Sequence, residues 1–198
     1  MQKLLIATHN PAKFNDICRF LSDIPYELVS LNDRGITEDV EEDQPTFELN
    51  AIKKAKFFAE KSGLPTLGDD SGMEIDCLGG KPGVFSKRWA GDESDGSIIS
   101  HTLQQLKGVP AEKRGAQFRV VIAYAKPDGS VITAEGVTRG IIADKPYSGK
   151  ITKSFPYNQL LFLPELNKYY HDDELTKEEL LRYNHRKIAL AKLKKYLT

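Results

Sequence analysis

A chain of 198 residues is long enough for one substantial hydrophobic core. Its 40% hydrophobic and 28% charged residues are ordinary for a soluble globular protein, and 28 basic residues against 28 acidic ones give a formal net charge of zero. No overall field is therefore available to hold a nucleic-acid backbone or an anionic membrane surface, and any anionic partner must be met by a local site. The apolar run within residues 1–8 is too short for a signal peptide, and no stretch approaches a membrane span. One cytoplasmic domain covering residues 1–198, with no nucleic-acid and no membrane partner, is expected.

In chain order, residues 3–7 read as a short buried strand, followed by the breaker pair Asn10-Pro11 and by Phe14, Ile17, Cys18 and Leu21 at helical spacing. Residues 26–31 suit a second strand, and residues 33–44 an acidic loop that ends near a helix start at Thr46. The helix expected over residues 47–61 places Phe47, Ala51, Ala55, Phe58 and Ala59 on one face. A strand is expected over residues 73–78, then a turn at residues 79–83 and a helix after Asp95. Residues 117–125 and 130–142 read as two strands joined around Pro127-Asp128-Gly129, a hairpin signal. Residues 143–159 read as a long irregular loop. Thr176 with Glu179 forms a capping box, and a last helix begins near Asn184. The mixture predicts an α/β protein with a mixed sheet. Cys18 and Cys77 form no CxxC pattern and lie on apolar faces, which predicts two buried free thiols.

Several cations fall in unfavourable places. If Asn10 caps the first helix, Lys13 lies in its first turn, where exposed N–H groups already make the helix end electropositive. His185, Arg186 and Lys187 repeat the oddity after Asn184. Lys54 stands at the edge of its helix's apolar arc, where it either snorkels or meets an anion. A bound phosphate would resolve the first two anomalies, because helix N-terminal N–H groups and a neighbouring Lys or Arg together form an anion site.

The acids are concentrated in Asp69-Asp70 and in the run Glu38, Asp39, Glu41, Glu42 and Asp43. In an extended segment Asp69 and Asp70 point to opposite sides, so only one can face a given site. Two readings stand: a turn cap with a solvated neighbour, or a carboxylate that binds Mg²⁺ or accepts a proton from water. The absence of GxxxxGK[ST] and GxGxxG excludes an ordinary P-loop or dinucleotide-binding protein.

These residues resemble a known family. Thr8-His9-Asn10-Pro11-Ala12-Lys13 matches an [ST]xNxxK signature, Asp69-Asp70-Ser71-Gly72 a DDSG signature, and Gly79-Gly80-Lys81-Pro82-Gly83-Val84-Phe85-Ser86-Lys87-Arg88 a GGxPGxxSxR turn. Thr46-Phe47, Asn50-Ala51 and Lys54-Ala55 fit the helix between the first two, and the order continues to His185-Arg186. The chain is similar in this way to the inosine triphosphate pyrophosphatases. The resemblance implies an elongated mixed β-sheet flanked by helices in two lobes with a nucleotide cleft between them. It also implies Mg²⁺-dependent hydrolysis of inosine and xanthosine triphosphates to the monophosphate and pyrophosphate. By the same resemblance Asp70 is the proton acceptor and a metal ligand, with Glu42 the second acid at the metal. Thr8, Asn10, Lys13, Lys54 and Ser71 then hold the triphosphate, and His185 and Arg186 lie near the nucleotide. The family is commonly a homodimer. Its base-cradling Gly-Phe-Gly-Tyr-Asp-Pro loop corresponds to Ser154-Phe155-Pro156-Tyr157-Asn158-Gln159, which keeps Phe155 and Tyr157 and replaces the acid by Asn158. Leu180 stands where the family has a lysine, and Asn184 where it has a serine.

Overall fold

The computed structural model describes residues 2–149 and 154–197. The elements, in order, are β1 (Gln2–Ile6), α1 (Pro11–Phe20), β2 (Tyr26–Ser30), α2 (Phe47–Ser62), β3 (Thr66–Ile75), α3 (Asp95–Gln105), β4 (Gly115–Ala125), β5 (Val131–Ile142), β6 (Leu161–Leu163), β7 (Lys168–Tyr169), α4 (Lys177–Tyr183) and α5 (His185–Leu193). The strands form one seven-stranded sheet in the order β2-β1-β3-β4-β5-β6-β7. β1 is parallel to β2 and β3, whereas β5, β6 and β7 pair antiparallel, so the sheet is mixed as expected.

Two compact units partition the chain: Met1–Ser71 with Val120–Gly136 and His185–Thr198, and Gly72–Arg119 with Val137–Asn184. In the first unit, alternation along β1 sends Leu4 and Ile6 into a core with Ile17, Phe20 and Leu21 of the α1 region and Ala189, Leu190 and Leu193 of α5. Leu5 and Ala7 join Val29, Leu31 and Phe58 in a separate core. A strand covered on both faces needs an apolar run, which is why residues 3–7 read so plainly as a strand. In the second unit, Met73 and Ile75 of β3 share a core with Ile98, Leu106, Phe118 and Tyr170.

Two glycines let helices approach the sheet of the first unit. A Cβ on Gly68 would lie 2.8 Å from Ala55 N and 3.0 Å from Ala51 O, so β3 lies directly against the backbone of α2. A Cβ on Gly136 would collide with His185 O and stand 2.8 Å from Ala189 N, which brings the start of α5 equally close to β5. Both are contacts that only a residue without a side chain allows.

Some expectations need correction. Asp69 and Asp70 lie inside β3 rather than in a turn, and β3 ends at Ile75. Asp76–Leu78 instead forms a 3₁₀ turn closed by Gly79 at φ 64°, a conformation that favours glycine. Cys77 is exposed and Cys18 only partly buried, because that turn lifts Cys77 off the apolar face assumed for a strand. The expected loop 143–159 contains a short 3₁₀ helix, Pro156–Gln159, while its residues 150–153 lie outside the described residues. The short strands β6 and β7 were not apparent in the sequence. The Thr176–Glu179 capping box is present, with both of its reciprocal hydrogen bonds. Among the described residues no helix is long and apolar enough to cross a membrane.

Candidate active site

The site is assembled at the point where β3 outruns β1. The last β1 partner pair is Ile6↔Leu67, after which β1 gives way to a loop and β3 continues through Gly68, Asp69 and Asp70. In that loop the Thr8 hydroxyl accepts from Asn10 N at 3.1 Å, and Asn10 Oδ1 caps α1 by accepting from Ala12 N at 2.9 Å and Lys13 N at 3.4 Å. The cap holds Lys13 in the first turn of α1, as its position in the sequence required.

The misplaced cations converge on the acid pair. Asp69 Oδ2 receives Lys13 Nζ at 3.2 Å and Arg186 Nη2 at 3.3 Å. Lys54 Nζ donates to the Asp69 carbonyl at 3.1 Å and is paired with Glu42. Lys54 is thus buried, not snorkelling. Burial raises the Asp69 pKa, but Lys13, Arg186 and Lys54 outweigh it and hold the carboxyl well below the usual carboxylate range. Burial disfavours the Lys54 ammonium, yet Asp69, Glu42 and Asp70 outweigh that too and raise its pKa.

Asp70 has a different environment. Asn50 Nδ2 donates to Asp70 Oδ2 at 2.9 Å, and Asp70 Oδ1 accepts from Ser71 N at 2.8 Å. Burial first, and the Glu42 charge second, push the Asp70 carboxyl up to about 6, against smaller opposing pulls from Asn50, Lys13 and Lys54. Neighbouring carboxylates are thereby driven in opposite directions, a pattern that assigns acid and base roles in catalytic sites. As expected for an extended segment, the two acids face opposite sides. Alternation along the strand sends them to different partners while both remain buried.

α2 also fixes the acidic segment. Asn50 accepts from Gln44 N at 2.9 Å, Lys53 Nζ meets Asp43 Oδ1 at 2.7 Å and the Glu41 carbonyl at 2.9 Å, and Lys61 Nζ meets Glu38 Oε1 at 2.6 Å. The acidic run is a loop with most of its acids exposed, as expected, but it is laced to one helix, and this places Glu42 against Lys54. Asn50, Gly68 and Asp69 are the residues whose part in the site sequence reasoning missed. The signal for Asn50 was a polar side chain four residues before Lys54 on a largely apolar arc.

His185 and Arg186 open α5 and are both buried. Burial, then the Arg186 charge, hold the His185 imidazole well below its ordinary value, with only Asp69 pulling the other way. The unfolded histidine takes up a proton near pH 6.5 and the folded one does not, so this contribution to stability is complete above that pH and is lost as pH falls below it. Asp70, raised in the fold, acts in the opposite sense between about pH 6 and 4. Urea midpoints at pH 7.5 and 5.5 are expected to show wild type losing about 1 kcal/mol more than His185→Gln, in which the Asp70 effect is unchanged. Equal losses in the two proteins would contradict this.

Phe155, Tyr157 and Asn158 belong to the second unit. Phe155 precedes the Pro156–Gln159 turn, its carbonyl accepting from Asn158 N at 3.1 Å, while the buried Tyr157 donates from its hydroxyl to the Ser86 carbonyl at 3.0 Å. The hydroxyl of Tyr157 is thus spent on anchoring the turn to the GGxPGxxSxR segment. No group of three or more His, Cys, Asp or Glu residues suited to a metal occurs among the described residues.

Adjoining buried carboxylates at the end of a parallel strand pair, met by cations from three helices, form a buried charged cluster on an α/β scaffold, in the place where such sheets bind ligands. The chain belongs to the Ham1 family, whose model matches residues 4–196. It is 42% identical over 198 residues to a protein of Geobacter sulfurreducens named dITP/XTP pyrophosphatase, covering 100% of this chain and 97% of that one. A Bacillus subtilis protein of the same name is 39% identical, with 100% and 98% covered. A solved structure described as a HAM1 protein from Coxiella burnetii superposes with a TM-score of 0.86 at 31% identity, covering 100% of this chain and 98% of that one.

Proposed function

We propose that this protein hydrolyses non-standard purine nucleoside triphosphates, dITP, ITP and XTP, to the nucleoside monophosphate and pyrophosphate, as a single functional domain. The observation that carries the proposal is the divergence of Asp69 and Asp70. One carboxylate is kept anionic among cations, and its neighbour, with its pKa near 6, is poised to take a proton. The names of the relatives, which extend over the whole chain, supply the substrate class.

In this reading Asp70 accepts a proton from the water that attacks the α-phosphorus. Lys13, Lys54 and Arg186 neutralise charge on the phosphate oxygens, and Thr8, Asn10 and Ser71 orient them. Phe155 and Asn158 contact the base, with His185 beside the nucleotide, and Tyr157 fixes the loop that carries them. The donors Glu42 and Asp70 fit a divalent cation, Mg²⁺ on this reading. They are hard oxygen ligands, with Asp70 raised by burial first and by the Glu42 charge second, and two carboxylates suffice where substrate phosphates and water complete the shell. When bound, the cation supplies further charge neutralisation at the phosphates. The reading includes a cytoplasmic homodimer acting on free nucleotides.

Incubation of the purified protein with Mg²⁺ and a panel of inosine, xanthosine, guanosine, adenosine and pyrimidine triphosphates tests the proposal. Pyrophosphate release, fastest with ITP and XTP, is expected; inorganic phosphate as the sole product would refute the reaction type. A second reading, a shifted base preference, is favoured by Asn158, which can donate as well as accept where the family carboxylate only accepts. It predicts a best substrate other than ITP or XTP in the same panel.

A further inference from the structure

Asp69 is used by no step of that reaction, yet it is the most heavily engaged acid of the site. Its side chain is 2% exposed, and a single oxygen, Oδ2, faces both Lys13 at 3.2 Å and Arg186 at 3.3 Å. Its carbonyl takes Lys54 at 3.1 Å. Lys13 and Arg186 each occupy the first turn of a helix, where the macrodipole disfavours a cation. Arg186 has a further carboxylate in Asp16, at 3.7 Å from Nη1. The buried carboxylate therefore determines both where these cations stand and how much of their charge remains for a ligand.

We infer that Asp69 is a positioning residue that holds Lys13 and Arg186 ready for the triphosphate and, by its own charge, keeps the site from retaining pyrophosphate. The inference rests on the pyrophosphatase reading above. A phosphate group that engages Lys13 and Arg186 must share them with Asp69. Repulsion between anions a few ångströms apart in poorly solvated surroundings outweighs the rotamer freedom that one released lysine regains. Removing the carboxylate charge therefore tightens anion binding more than the looser cations weaken it. In an enzyme whose product is itself a polyanion, that gain in affinity slows release and lowers kcat.

The test is calorimetric titration with pyrophosphate in the presence of Mg²⁺, together with steady-state kinetics on ITP. Asp69→Asn is expected to bind pyrophosphate roughly 10-fold tighter than wild type, and both kcat and KM are expected to fall, the signature of a lost ground-state repulsion. A merely structural role would reduce the active fraction and leave the pyrophosphate affinity of the folded protein unchanged; that result, or weaker binding, overturns the inference. Asp69→Asn/Lys13→Met removes one charge of each sign and keeps the buried site balanced if the single variant does not fold. Its pyrophosphate affinity is expected within roughly threefold of wild type, against a roughly 10-fold loss in Lys13→Met alone. A double variant as weak as Lys13→Met overturns the inference. Wild-type turnover reports on the reaction separately, so the two readings fail independently.

Discussion

Asp70→Asn is expected to lower pyrophosphate release from ITP at least ~100-fold while leaving the protein more stable. The loss follows from its assigned role, since removing a positioned general base typically costs about 10²–10⁴ in rate. Asn keeps the shape and can still meet Asn50, but it accepts no proton and binds a cation poorly. The gain in stability follows from the direction of the pKa. Asp70 is raised from 3.8 to about 6 in the fold, so at pH 7.5 its charge opposes folding, and the folded state binds the extra proton between about pH 6 and 4. The neutral amide is free of that cost, worth up to about 3 kcal/mol at 1.36 kcal/mol per pH unit. Urea unfolding of both proteins in EDTA at pH 7.5 should give the higher midpoint to Asp70→Asn. A variant that is inactive and also less stable would remove the argument that burial and the Glu42 charge disfavour the Asp70 anion. Catalytic groups held at a cost to stability are a recognised form of trade-off.

Gly68→Ala should damage stability and activity together. The added Cβ would stand 2.8 Å from Ala55 N, 3.0 Å from Ala51 O and 3.1 Å from Ala55 Cα. These are backbone atoms in the middle of α2, which cannot rotate away as a side-chain end could, so β3 and α2 must separate. Overpacking of this kind costs about 1–3 kcal/mol, a drop in Tm of roughly 2–10 °C for a chain of this size. The same separation draws Asn50 away from Asp70 and Lys54 away from the Asp69 carbonyl. A fall in kcat of at least ~10-fold is therefore expected even well below the Tm. Differential scanning calorimetry and ITP kinetics on one preparation decide the matter. Full activity at a reduced Tm would show that the site tolerates the movement.

The contrast between β1 and the acidic segment shows which features were legible in the sequence. β1 is covered on both faces by helices, so every residue from Leu4 to Ala7 had to be apolar, and the strand announced itself. α1 was equally legible, because Asn10 and Pro11 are read by local rules that need no distant partner. The segment around Glu42 has no such periodicity. Its order comes from Lys53, Lys54, Lys61 and Asn50 on α2, at separations in the chain that no local pattern records. β6 and β7, of three and two residues, are too short to establish alternation.

By itself the sequence determined the scaffold, the anomaly of the cations and the motifs. Apolar periodicity, helix caps and the dipole act within a few residues, so Lys13, Lys54 and Arg186 could be recognised as out of place without knowing what they met. Tertiary structure alone decided what resolves them. Asp69 collects Lys13 and Arg186 from helices more than a hundred residues apart in the chain, and Asp70 is left to Asn50 and the charge of Glu42. The residue pattern could name the acid pair, and the family resemblance singled out Asp70, but neither gave a physical reason for dividing their labour. That division depends on burial and on distances between charges, quantities that exist only once Gly68 and Gly136 have brought α2 and α5 onto the sheet.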